Sequence, residues 1–345
     1  MNILINTFLL TLFLIFSFSS ANAQWQKQTV DTKASLRGLS IVNKKIVWAS
    51  GTGGTFLRTI DGGKTWKVGK VPGTENLDFR DVEAFDANTA YLLSIGNGES
   101  SRIYKTTDGG ETWNLQFKNT NENAFFDAFA FWDAQYGIAM SDPVDGYFYL
   151  ISTHNGGETW TPLPKDKMLL AKAGEAAFAA SGTCLVANGR SDIYLVSGGK
   201  AARVFRSSNR GLSWLVSETP IISGTDGSGI FSIAFQDAKR GVIVGGNYEK
   251  PNETTNNLAF TNDGGKAWNL GSGLSGYRSG VAFVDRKTII AVGSSGSDIS
   301  FDGGKTWKNL DQENYNAVTA RGKQAIWAVG EKGLVAKFSS QSSLR

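Results

Sequence analysis

Thr59-Ile60-Asp61-Gly62-Gly63-Lys64-Thr65-Trp66 is followed by Thr106-Thr107-Asp108-Gly109-Gly110-Glu111-Thr112-Trp113, and the phrase recurs until the chain holds six copies. The other four end at Trp160, Trp214, Trp268 and Trp307, so the tryptophans lie 113−66 = 47, 160−113 = 47, 214−160 = 54, 268−214 = 54 and 307−268 = 39 residues apart. A period of this size marks supersecondary units stacked on their neighbours, and a four-stranded propeller blade has about that length. Within each copy the carboxylate or amide (Asp61, Asp108, Asn155, Asn209, Asp263, Asp302) and the Ser or Thr two residues earlier can bond their own turn. The glycines supply positive φ, and the tryptophan closes the turn by burying against a neighbouring sheet. Asn at two copies serves such a turn but cannot act as acid or base. The six boxes therefore read as structural rather than catalytic.

Around each box the sequence supplies the rest of a blade. Apolar runs such as Val82-Glu83-Ala84-Phe85 and Ile233-Ala234-Phe235 read as inner strands, Ile46-Val47-Trp48-Ala49 and Ile289-Ile290-Ala291-Val292 as second strands. β-Branched and aromatic residues bounded by Gly and Asp/Asn clusters are strand signals. After the sixth box come three more, at Ala317-Val318-Thr319, Ile326-Trp327-Ala328-Val329 and Leu334-Val335-Ala336-Lys337-Phe338. The missing fourth is available at the other end, in Trp25-Gln26-Lys27-Gln28-Thr29-Val30. The expected fold is all-β: a seven-bladed β-propeller of four-stranded antiparallel blades, closed by the N-terminal strand joining the last blade, which removes an exposed edge.

Residues 1–23 carry no charge and end Ala21-Asn22-Ala23, a small-x-small pattern that predicts a cleavable export signal cut before Gln24. The mature chain is then one propeller domain over residues 24–345, a periplasmic or secreted monomer without a stable membrane anchor. The net charge of +4, dispersed along the chain, argues against a nucleic-acid partner. One cysteine, Cys184, and one histidine, His154, cannot assemble a soft-ligand metal cluster. No phosphate loop, dinucleotide fingerprint or nucleophile elbow occurs in a matching context, so no cofactor is expected.

A site is expected at the inner-strand entrances and on the loops joining second and third strands, which share one face. Aligned across blades, the entrance position holds Arg37, Arg80, Phe126, Glu175, Phe231, Arg278 and Asn316. Three arginines converging on the channel mouth would suit a carboxylate or phosphate; pairing with Asp81, Asp127 or Glu175 is the alternative. Extended loops at 141–147, 189–200 and 245–257 present Tyr147, Tyr194 and Tyr248 as tips suited to a peptide or a sugar.

The phrase Ser/Thr-x-Asp-x-Gly-x-Thr-Trp is the Asp-box, or bacterial neuraminidase repeat, and the chain resembles that superfamily over its mature length. With Ile46-Val47-Trp48-Ala49-Ser50-Gly51 ahead of Thr55-Phe56-Leu57-Arg58, it looks closest to the photosystem II assembly/stability factor-like propellers. That resemblance implies an exported, non-enzymatic scaffold with an arginine-rich face holding a protein partner, although relatives are often labelled oxidoreductases. Arg37, Arg80 and Arg278 match that face by position. The alternative within the superfamily is a glycoside hydrolase, sialidase- or xyloglucanase-like, acting on extracellular glycans. Against a sialidase stand the missing Arg-Ile-Pro segment and seven blades in place of six. Against a xyloglucanase stands the single propeller.

Overall fold

The computed structural model describes residues 24–339, and the expected export signal lies outside the described residues. Seven antiparallel sheets follow one another along the chain. Blade 1 comprises Leu36–Ile41, Val47–Gly51, Thr55–Thr59 and Lys67–Lys70, and blade 2 Phe79–Ala84, Ala90–Ser94, Arg102–Thr106 and Asn114–Lys118. Blade 3 runs Phe126–Phe131, Gly137–Val144, Tyr147–Thr153 and Thr161–Pro162, with Leu169–Leu170 added beside its third strand. Blades 5 and 6 start at Ser228–Phe235 and Gly280–Phe283. Three short 3₁₀ turns are the sole helical elements among the described residues.

Blade 7 is made from both ends of the chain. Gln24–Lys27 pairs antiparallel with Val335–Ser339, Trp25 opposite Phe338 and Gln26 opposite Lys337. The Trp25 indole N–H donates to Ser297 Oγ of blade 6 at 3.0 Å, and its ring packs on Tyr315 and Phe338. The closing strand thus seals the ring sideways as well as completing a sheet. Apolar clusters fill each gap between neighbouring blades, as where Leu36, Val47 and Leu57 of blade 1 meet Ala317, Trp327 and Val329 of blade 7.

The boxes perform the turn chemistry expected of them. In the first, Thr59 Oγ1 donates to Asp61 Oδ1 at 2.8 Å and accepts from Gly63 N–H, while Asp61 accepts from both N–H and Oγ of Thr65. Gly62 and Gly63 sit at φ of 78° and 90°, where a side chain would be strained. Asn155 and Asn209 make the corresponding bonds. Four of the box tryptophans pack edge-on against an aromatic ring: Trp66 on Trp327, Trp113 on Trp48, Trp160 on Phe131 and Trp268 on Phe235. Trp214 and Trp307 donate their N–H to the box glycine carbonyl, whereas those of Trp66, Trp113, Trp160 and Trp268 have no partner.

Blade 4 departs from the sequence alignment. Its inner strand is Leu185–Asn188 and its second Asp192–Val196, so residues 189–200 are largely strand rather than an extended loop. Tyr194, expected at a loop tip, is buried in that second strand and stacks on Phe235 at 4.0 Å. Glu175 is not an inner-strand entrance either. It belongs to a two-residue strand, Glu175–Ala176, that pairs with Gly198–Gly199 and extends the sheet of blade 5.

Candidate functional site

One structural device recurs at the entrances. In blades 1, 2, 3, 5 and 7 the inner strand carries a register shift at its second or fourth residue, at Arg37, Arg80, Asp127, Phe231 and Asn316. A bulge leaves one residue unpaired in the ladder and re-aims its side chain. In blade 6, Gly280 pairs with Val292 just before Gly293, as Ala317 pairs with Val329 before Gly330, so Ser279 takes the same place. All six line a single cavity of ≈ 450 Å³ at one mouth of the central channel.

The sequence alignment was therefore one residue out in two blades. Asp127, not Phe126, faces the cavity in blade 3, and Ser279, not Arg278, in blade 6. Arg278 is fully buried behind the wall. Its Nε and Nη2 reach Asp298 Oδ2 at 2.8 and 2.6 Å, and the remaining donors are taken by Tyr277 O, Ser295 Oγ and Ser275 Oγ. Glu175 is likewise internal, accepting from Ser197 Oγ and forming a buried pair with Arg203. Tyr147 stands apart in a side groove on blade 3 beside Lys165, while Tyr248 does line the axial cavity. Three arginines do not converge; two do.

Between Glu175 and blade 4 the chain travels round the channel mouth, a feature the sequence reading missed. Ala177 N–H donates to Asp142 Oδ1 of blade 3 at 2.8 Å. Ala179 O accepts from Arg80 of blade 2 and Ala180 O from Arg37 of blade 1. Ser181 Oγ donates to Ser279 O of blade 6, and Thr183 Oγ1 contacts Ser232 Oγ of blade 5 at 2.7 Å. Small residues make this possible: a Cβ on Gly182, at φ of 74°, would sit 2.2 Å from Asp81 Oδ1. The available signal was the lengthened spacing before Trp214, 54 against 47, together with the run Ala176-Ala177-Phe178-Ala179-Ala180-Ser181-Gly182.

The cavity has three chemically distinct walls. Arg37 and Arg80 form the first. Burial, and then the charge of Arg80, lowers the Arg37 pKa. Each guanidinium spends Nη1 on a carbonyl; Arg80 also pairs with Asp78 at 2.7 Å, but Arg37 has no ion pair among the described residues. Asp127 and Asp142 form the second. Burial lifts Asp142 to about 6, and no cation pairs with it among the described residues. Burial and then the Asp142 charge hold Asp127 well above the ordinary carboxylate range, against the opposing N–H groups of Asp142 and Ala179. Its Oδ2 is buried without a partner. The third wall is aromatic: Phe178 stacks on Phe231 at 3.9 Å, with Tyr248 and Tyr277 set edge-on to Phe231. Below it Asp81 accepts from Val82 and Phe129 N–H, and burial raises it to about 7. Asn316 is spent on Leu36 O and Ser35 Oγ.

Comparison with known proteins agrees with this architecture. Residues 298–309 match the family model of the BNR/Asp-box repeat. Among solved structures it is similar to YCF48 bound to D1 peptide, at TM-score 0.67 and 18% identity over 92% of this chain and 97% of that one. YCF48 from Cyanidioschyzon merolae superposes at TM-score 0.67 and 20% identity, covering 93% of this chain and 100% of that chain. U3-55K follows at TM-score 0.63 and 13% identity, over 92% and 98%. No curated protein sequence matches the chain.

Proposed function

We propose that this protein is an exported, non-enzymatic binding scaffold that holds a partner protein at its axial cavity, with Arg37 and Arg80 as the anionic-group contacts. The observation that carries the reading is an arginine, Arg37, half-buried beside a second arginine and facing the cavity with no ion pair of its own among the described residues. A desolvated, unpaired guanidinium is costly unless a ligand meets it, and its fork suits a carboxylate. The likeness to a propeller solved with a peptide bound supports the class of partner. A glycoside hydrolase draws on the Asp127–Asp142 pair, but the unpartnered Asp127 oxygen is sealed from solvent, where a general acid must reach its substrate. The test is affinity capture from cell-envelope fractions with wild type and an Arg37→Ala/Arg80→Ala double variant, leaving Arg278 intact. Partner lost only by the folded double variant supports the reading; equal capture by both overturns it.

A further inference from the structure

The axial cavity holds opposite charges that do not satisfy each other. Arg37 on one wall lacks an ion pair among the described residues, Asp142 on another lacks a cation, and Asp127 beside it keeps an unpartnered oxygen. Phe178, Phe231 and Tyr248 supply an apolar face to the same cavity. We infer that the cavity takes a small zwitterion with an apolar side chain, a short peptide with both termini free, whose carboxylate meets Arg37 and whose ammonium meets Asp142.

The argument is one of complementarity. Unpaired charges removed from bulk water are expensive, and one ligand carrying both signs would compensate both. A purely anionic ligand would leave Asp142 uncompensated, and a purely cationic one Arg37, whereas Arg80 already pairs with Asp78. The volume of ≈ 450 Å³ lies near the lower end of the roughly 300–1,000 Å³ of small-ligand sites. The crossing segment forms part of the cavity wall, since Ala177 to Ala180 line it. Asp142 Oδ1 is occupied by Ala177 N–H, so the ammonium would take the other carboxylate oxygen. This inference rests on the axial cavity being the scaffold's binding site and adds the chemistry of its occupant.

The test is calorimetric titration of the wild-type protein with the dipeptide Ala-Phe, its N-acetyl form and its C-terminal amide. Free dipeptide should bind, and capping either end should weaken binding about tenfold or more, the loss expected for a hydrogen-bonded charge. In Asp142→Asn the free and acetylated forms should become equivalent; in Arg37→Ala, the free and amidated forms. Asn still accepts from Ala177, and the capped ligands test the wild type even if a variant fails to fold. No binding at millimolar dipeptide, or indifference to the caps, overturns the inference. Capture of a protein partner without dipeptide binding sinks the zwitterion alone; dipeptide binding without partner capture sinks only the scaffold.

Discussion

Arg278→Ala separates structural from binding arginines. Arg278 is wholly enclosed and donates to Asp298, Tyr277, Ser295 and Ser275. Truncation leaves Asp298, itself buried, without its cation; it retains Ser275 N–H and Oγ at 3.1 and 2.8 Å and the Asn309 amide at 3.3 Å. Breaking a buried pair by removing one partner costs about 3–5 kcal/mol. At roughly 2–4 °C per kcal/mol for domains of some 150–250 residues, and less for larger ones, Tm should fall by roughly 5–15 °C. Arg278→Lys keeps the charge but not the fork, and should recover part of the loss. Arg37→Ala removes one 3.3 Å bond to Ala180 O and no ion pair, so its Tm should move by a few degrees at most. Differential scanning calorimetry on the three variants, with binding measured on protein confirmed as folded, gives the comparison. If Arg278→Ala melts within about 2 °C of wild type, a shift worth less than about 1 kcal/mol, the buried pair is not holding the wall and the reasoning fails.

Deleting Gln24–Lys27 should lower Tm more than any surface change, because it exposes the edge of Val335–Ser339 and removes Trp25 from Ser297, Tyr315 and Phe338; an unchanged melt would sink the closure. Asp61→Asn should melt close to wild type, as Asn155 and Asn209 already serve their turns, whereas Asp61→Ala should melt lower; equal melting of the two would refute the turn role. Folded Asp81, Glu83 and Asp142, raised to about 7, 8 and 6, hold protons that the unfolded chain releases near pH 4. The native state thus binds more protons between about pH 4 and 8, and stability should fall as pH rises, by up to about 1.4 kcal/mol per unit for each acid while it titrates. Urea denaturation at pH 5 and pH 8 checks the sign, and greater stability at pH 8 would contradict it.

Local chemistry made the blades readable. A Ser/Thr–Asp turn closed by glycine and tryptophan needs only neighbours in sequence, and six copies named the repeat and its count. The seventh blade and its closing strand followed from three leftover apolar runs and one spare strand at the start, and Gln24–Lys27 lies where that reading put it. The entrance residues were less legible because a bulge shifts the pairing by one residue, and a one-residue slip turns a side chain to the other face. For that reason Phe126 and Arg278 were read at the entrance position where Asp127 and Ser279 stand, although Asp127 was already a candidate as a pairing partner of the arginines. Glu175 and Tyr194 failed differently: residues 175–183 circle the channel, so the inner strand of blade 4 begins later than its neighbours' spacing implies.

By itself the sequence determined the repeat, the blade count, the closure and the nature of the turns, all of which depend on contacts a few residues apart or on a periodicity visible in one dimension. Only the tertiary structure decided that Arg37 and Arg80 share a cavity with Asp127 and Asp142 while Arg278 is walled in by Asp298. Those groups come from different blades, and what they can bind depends on burial and on which charge finds a partner, quantities that exist only once the ring has closed.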